Sequence, residues 1–121
     1  MALPKHLRAP HVRVLMKRLR KYVPLPVSVR LVQQNGDVYL GSGKDRQKVL
    51  GKAGCRMQNG KLVSFRITVD SRIPNGEKWE VIVHEWAHCL DRATRPVSRD
   101  CHDTRWGQHY SRAFKASVNW D

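Results

Sequence analysis

Residues 81–90 read Val-Ile-Val-His-Glu-Trp-Ala-His-Cys-Leu, an apolar stretch that contains two histidines and a glutamate. Residues four apart lie on one face of a helix, so His84 and His88 can both bind one Zn²⁺. Glu85 follows the first histidine, where a carboxylate can take a proton from the attacking water. Apolar residues surround the three on most sides, which predicts a largely buried helix. Because burying two histidines and a glutamate without partners is costly, the stretch predicts a metal site.

The third ligand must come from another part of the chain, because a catalytic zinc has three protein ligands and one open position. No glutamate follows Glu85, and no histidine lies within ten residues after His88. His102 and His109 are the downstream histidines. On one helix these two would lie about 10 Å apart along the axis. One of them can therefore reach the metal, and the spacing alone leaves the choice open.

Upstream of residue 81 the hydrophobic pattern changes to that of strands. Residues 63–69 alternate between apolar and polar side chains, which is typical of a half-buried strand. Asn59-Gly60 suits a two-residue turn from a strand that precedes it. Residues 27–31 also alternate, and Asn35-Gly36 predicts a turn into a strand at residues 38–40. These patterns predict an antiparallel sheet of three to four strands.

Three helices complete the predicted order. Pro10 can open the first, whose apolar residues up to Tyr22 fall on one face. The second is predicted from about Glu77 to about Ala93 and carries the two histidines. The third is predicted from about Thr104 to Val118, with Asp103 as its N-cap. An order of helix, sheet, helix and helix is an α+β layout.

The chain carries a large excess of positive charge. It has 23 Lys and Arg residues against 10 Asp and Glu residues, which gives a net charge of +13. Such an excess favours a polyanionic partner, first of all DNA or RNA. Solubility alone, or the solvated face of a core-packing helix, is the simpler alternative. The residues expected to contact phosphate are Arg13, Lys17, Arg20, Arg95, Arg99 and Arg105.

Length and cysteine content set further bounds. A chain of 121 residues without repeats or a long linker predicts a single domain over residues 1–121. The odd set Cys55, Cys89 and Cys101 favours a reducing compartment, and without a Cys-x-x-Cys pair a zinc ribbon is excluded. The basic N-terminal stretch is unlike a secretory signal, and no apolar run could cross a bilayer. We therefore expect a cytoplasmic protein with no membrane partner.

Two motifs together resemble a known family. His84-Glu85-Trp86-Ala87-His88 is followed, after thirteen residues, by the sequence HDTRWGQHY at residues 102–110. This combination resembles the SprT-like metallopeptidases, and more closely their small phage-encoded relatives, over roughly residues 60–115. The resemblance implies a zincin-like fold, His102 as the third zinc ligand and Trp106 packed one turn below it. Where the family usually has a glycine after the third histidine, this chain has Asp103.

The resemblance also implies a function. SprT-like proteins are zinc proteases, and the Spartan branch digests proteins crosslinked to DNA. The chain is therefore expected to hydrolyse peptide bonds with Glu85 as the general base, and to act near or be stimulated by nucleic acid. If the chain is phage-encoded, the expected location is the cytoplasm of a bacterial host.

Three other residues are candidates for supporting roles. Asp91 shares the face of His84 and His88, where it either orients a ligand imidazole or pairs with a neighbouring arginine. Tyr110 or His109 is a candidate for steadying an oxyanion, although packing is the simpler role for each.

Two rival functions fit the same residues. The first is a zinc-stabilised nucleic-acid-binding or virion-associated protein without protease activity, in which Cys101 or His109 would close the fourth position of the metal. The second is a zinc hydrolase that acts on phosphodiesters, which would suit the positive charge.

Overall fold

The computed structural model describes residues 11–95 and 102–118. They contain α1 (Val12–Tyr22), β1 (Ser28–Gln34), β2 (Val38–Leu40), β3 (Gln47–Val49), β4 (Gly51–Gln58), β5 (Lys61–Asp70), α2 (Asn75–Thr94) and α3 (Thr104–Ser117). The predicted α+β class is confirmed, with an N-terminal helix, a sheet and two C-terminal helices. The predicted helix start at Pro10 lies outside the described residues. No helix in the described ranges combines the length and apolar character needed to span a membrane.

The sheet is mixed, so the prediction of one antiparallel sheet is wrong. β5 is the central strand, with β4 antiparallel on one side and β1 parallel on the other. β2 and β3 form a separate two-stranded antiparallel sheet. The Asn35-Gly36 turn joins β1 to β2, but β1 pairs over seven residues with β5, whose apolar side chains face the same core. Alternation shows which side of a strand is buried, and it does not show which strand is the neighbour.

The turn predicted at Asn59-Gly60 is confirmed. It joins β4 to β5, and the pair Gln58–Lys61 closes it. Asn59 has a φ of 52° and Gly60 a φ of 76°, the positive values that a type I′ hairpin turn requires at both central positions. The register then shifts between Arg56 and Met57, and the remaining ladder extends to the pair Gly51–Val69 beside α2.

The core lies between the sheet and the helices. Ile67 and Val69 of β5 pack there with Leu15 of α1 and Ile82 of α2. Trp86 of α2 is also fully buried, and its Nε1 donates a hydrogen bond to the carbonyl oxygen of Val23 at 3.0 Å. A buried indole N–H needs such a partner. These contacts fix α2 against both the sheet and α1.

Candidate functional site

Three histidine side chains converge at one point beside α2. His84 and His88 lie one turn apart on α2, and His102 lies just before the Asp103 N-cap of α3. Each Nε2 atom lies 3.1 Å from the other two. Within the described ranges, no cysteine, carboxylate or further histidine joins this group of possible metal ligands. The structure therefore brings together the three predicted ligands, close enough to bind one metal ion.

The chemistry of this donor set fits a cation. Each ring nitrogen either donates or accepts, so three mutually close nitrogens cannot form three matched hydrogen bonds. A metal ion would use all three lone pairs. Two nitrogens bound to a tetrahedral zinc at about 2.0–2.1 Å lie about 3.3 Å apart, which is close to the 3.1 Å observed here.

Burial keeps two of the rings in the form that binds metal. It lowers the pKa of His84, and the nearby His102 lowers it further. Burial, and then the neighbouring His84 and His102, lower the pKa of His88 to about 4. Both rings are therefore neutral at physiological pH, as a metal ligand must be.

Glu85 lies beside the histidines with little contact with solvent. It is 9% exposed, and burial raises its pKa to about 7. A general base is most effective when its pKa lies near the working pH. A bound cation would act in the opposite direction and favour the ionised carboxylate.

Glu85 opens onto a groove between α2 and the edge strand β4. Two adjoining recesses of about 600 and 660 Å³ form this groove, and Val49, Gly51, His84 and Glu85 line both. His88 and His102 line the first recess, and Tyr110 lines the second.

Trp106 supports all three histidine rings. Its ring centroid lies 4.7 Å from that of His102, in an edge-on arrangement, which confirms the predicted packing. It also lies 4.9 Å from the ring of His84 and 5.3 Å from that of His88. The sequence did not predict the last two contacts, because they depend on how α3 packs against α2.

A chain of ion pairs joins the second and third ligand segments. Arg95 donates to both carboxylate oxygens of Asp91, at 2.7 and 3.1 Å, and to Oδ1 of Asp103 at 2.6 Å. Asp103 also accepts from the backbone N–H of Trp106 at 3.1 Å, which confirms it as the N-cap of α3. Of the two roles considered for Asp91, the structure shows the pairing with an arginine. The Asp91–Arg95 spacing is visible in the sequence, whereas the contact with Asp103 is tertiary.

The pairing of Arg95 corrects its predicted role in phosphate binding. Its side chain is only 15% exposed and two carboxylates occupy its guanidinium. Arg13, Lys17, Arg20 and Arg105 are exposed, and Arg20 donates to the carbonyl oxygen of Val29 at 3.1 Å. Arg99 lies outside the described residues.

The structure separates the two candidates for oxyanion support. Tyr110 stacks on Trp106, with ring centroids 5.2 Å apart, and lines the groove with Glu85. His109 lies elsewhere, with its Nε2 atom 3.9 Å from a carboxylate oxygen of Asp91. His109 is therefore not placed to be a fourth metal ligand.

The cysteines of the described ranges, Cys55 and Cys89, are not part of the metal cluster. Cys89 is buried, and burial raises the pKa of its thiol, so it is a packing residue with little nucleophilic character. Cys55 is exposed on β4, and Cys101 lies outside the described residues. Comparisons with known protein families, with curated proteins and with solved structures found no match.

Proposed function

We propose that this chain is a zinc-dependent metallopeptidase of the SprT-like type. The observation that carries the proposal is the convergence of three histidine Nε2 atoms beside Glu85, at the floor of a groove. Three imidazole nitrogens are a donor set that suits zinc. In this proposal three histidines hold the metal, and its fourth position stays open to water as in catalytic zinc sites.

The side chains around the cluster have distinct roles in this proposal. Zinc held by His84, His88 and His102 would polarise the scissile carbonyl group and make water a better nucleophile at neutral pH. Glu85 takes a proton from the attacking water and passes it to the leaving amine. Tyr110 faces the same groove, and we assign it the support of the developing oxyanion.

The shape of the groove favours an extended peptide as the substrate. β4 is an edge strand of its sheet among the described strands, and Gly51 to Cys55 line the groove opposite Glu85. The free edge of a strand offers unpaired N–H and C=O groups, to which an extended chain can add as a further strand. This pairing would hold the scissile bond near the carboxylate.

We also propose nucleic acid as a partner of the enzyme. The net charge of +13 and the exposure of Arg13, Lys17, Arg20 and Arg105 support it. Arg95 is not part of this proposal, because it is held by two carboxylates.

Metal analysis of two histidine variants tests the site. The purified protein should contain one zinc per chain, and His102→Ala should lose it. His109→Ala is the matched control and should keep zinc, because His109 lies outside the cluster. If His109→Ala lost the metal and His102→Ala kept it, the proposed ligand set would be wrong.

Substitution of Glu85 tests the reaction. Glu85→Gln preserves the shape of the side chain and removes the base, so casein digestion should fall by at least about 10²-fold. Zinc content and thermal stability should stay at the wild-type level. A variant with full activity would refute the mechanism, and a wild-type protein that binds zinc but digests no protein would favour a structural metal.

A further inference from the structure

The outer face of the three-stranded sheet carries a cluster of arginines. The inward side chains of β5, such as Phe65 and Ile67, pack in the core. The alternate residues point to the opposite face, where Arg66 pairs in register with Arg30 of β1 and Ser64 pairs with Ser28. Arg56 of β4 pairs with Ser64 from the other side. These residues line a recess of about 560 Å³, here called the arginine recess: Ser28, Arg30, Arg56, Ser64 and Arg66.

The guanidinium groups of the arginine recess have no acidic partners among the described residues. Arg30, Arg56 and Arg66 are exposed and take part in none of the ion pairs of the described chain. No acidic residue of the described ranges lines the recess. Arg72 and Arg95, in contrast, each bind two carboxylates.

The strand register places like charges side by side. Arg30 and Arg66 are direct cross-strand partners, and like charges at such positions destabilise a sheet. Arg56 lies diagonally to Arg66 across the β4–β5 ladder, at about 7–8 Å in such a ladder. An anion bound between these side chains would offset the repulsion. Anion binding therefore explains why the arginines are adjacent, whereas solubility alone does not require it.

The floor of the arginine recess is open to a ligand. Gly54 lies opposite Arg66, and a Cβ atom added to Gly54 would meet no atom within 4 Å. Arg20 of α1 reaches the rim, where it donates to the carbonyl oxygen of Val29. One basic side chain of the first helix therefore contacts a residue that lines the recess.

We propose that the arginine recess binds the sugar–phosphate backbone of nucleic acid. Arginine forms paired hydrogen bonds with phosphate oxygens, and serine hydroxyl groups also donate to them. The aromatic residue of the lining, Phe65, is 3% exposed and packs in the core, so it offers no surface for base stacking. Contacts confined to phosphates give binding that depends strongly on salt and weakly on sequence. The inference rests on the proposed nucleic-acid partner and is independent of the proposed peptidase activity.

Neutralisation of two recess arginines tests the inference in the full chain. The recess variant is Arg30→Gln with Arg66→Gln. The matched control is Arg112→Gln with Lys115→Gln, which removes the same charge from exposed positions of α3, in the helical layer. Binding of labelled single-stranded and duplex DNA is measured by fluorescence anisotropy between roughly 50 and 200 mM salt. Polyglutamate serves as an acidic polypeptide probe.

The recess variant should bind DNA more weakly than the control at every salt concentration. If each arginine contacts one phosphate, its plot of log affinity against log salt should flatten by about 1.8 for duplex DNA and about 1.4 for single strands. Its melting temperature should not fall, because the substitutions remove the repulsion between facing charges. This readout separates lost binding from lost folding.

Three outcomes would overturn the inference. Equal losses in the recess variant and the control would show that binding is spread over the whole surface. Polyglutamate binding that depends on Arg30 and Arg66 as strongly as DNA binding would make an acidic protein the partner. Wild-type protein that binds no DNA at low salt would refute the nucleic-acid partner itself, whereas peptidase activity is tested separately by Glu85→Gln.

Discussion

Gly51 controls how closely β4 approaches α2, the helix that carries His84 and His88. It is the first residue of β4, and a Cβ atom built on it would lie 2.3 Å from Cγ1 of Val81 and 3.0 Å from the backbone oxygen of Thr68. Carbon atoms in contact normally lie about 3.5–4.0 Å apart. Gly51→Ala therefore requires α2 and β4 to separate by roughly 1 Å, a case of overpacking that costs about 1–3 kcal/mol.

This cost is measurable as a change in melting temperature. For a chain of this size 1 kcal/mol corresponds to about 4 °C, so Gly51→Ala should lower the melting temperature by about 4–12 °C. Val81 lies one helical turn before Glu85, so its displacement should also shift the carboxylate of Glu85 and, if the proposed function holds, lower zinc affinity or hydrolysis. Circular dichroism and zinc titration give the two readouts.

Gly54→Ala is the matched control within the same strand. A Cβ atom there meets nothing within 4 Å, and Gly54 does not have a positive φ, so the substitution should be neutral or stabilise the protein by about 0.4–1 kcal/mol. Adding Val81→Ala to Gly51→Ala should restore part of the stability, because the contact with the Thr68 backbone remains. Equal melting temperatures for the two glycine variants would refute the close approach.

Two further predictions follow from the ion pairs. Arg95→Met removes the link between Asp91 and Asp103 and should weaken zinc binding by about 10- to 100-fold in a chelator competition assay, as is typical of residues that orient metal ligands. In the same assay, the control Arg112→Met should leave zinc binding unchanged. Equal effects of the two substitutions would refute the role of Arg95 in positioning the ligand segments. Hydrogen bonds from Arg72 lower the pKa of Asp70 from 3.8 to about 2, so this pair stabilises the fold fully above pH 3.8 and the contribution is lost as the pH falls towards 2. Asp70→Asn should therefore flatten the loss of melting temperature between about pH 4 and pH 2, and an acid transition identical to that of the wild type would contradict this assignment.

The sequence predicted those features that depend only on residues close together along the chain. The spacing of His84 and His88 fixed their common face, the Asn59-Gly60 turn was identified from its backbone requirements, and Asp103 was identified as an N-cap. These features need only the geometry of one turn or one helix. The SprT-like family, the zinc and the peptidase activity remain predictions.

The features that the sequence did not predict depend on which elements become neighbours. The parallel pairing of β1 with β5 follows from core packing between residues more than thirty positions apart, such as Val29 and Phe65. The contact of Arg95 with Asp103 joins two segments in the same way. The arginine recess depends on the register of three strands, so the sequence alone did not predict that Arg30 and Arg66 are neighbours.

The mixed sheet has a consequence for how the two proposed activities are connected. Because β5 is central, β4 becomes the edge strand that borders the groove, and its residues Gly54 and Cys55 line both the groove and the arginine recess. Phosphate bound in the recess would thus lie across the edge of β4 from the groove, without contact with Glu85 or the histidines, none of which lines the recess. Nucleic acid should therefore raise hydrolysis by holding a protein substrate near the groove, and it should not change the chemistry at Glu85. A small peptide with no affinity for nucleic acid should then be cleaved at the same rate with and without DNA, whereas DNA-bound protein should be cleaved faster only when Arg30 and Arg66 are present.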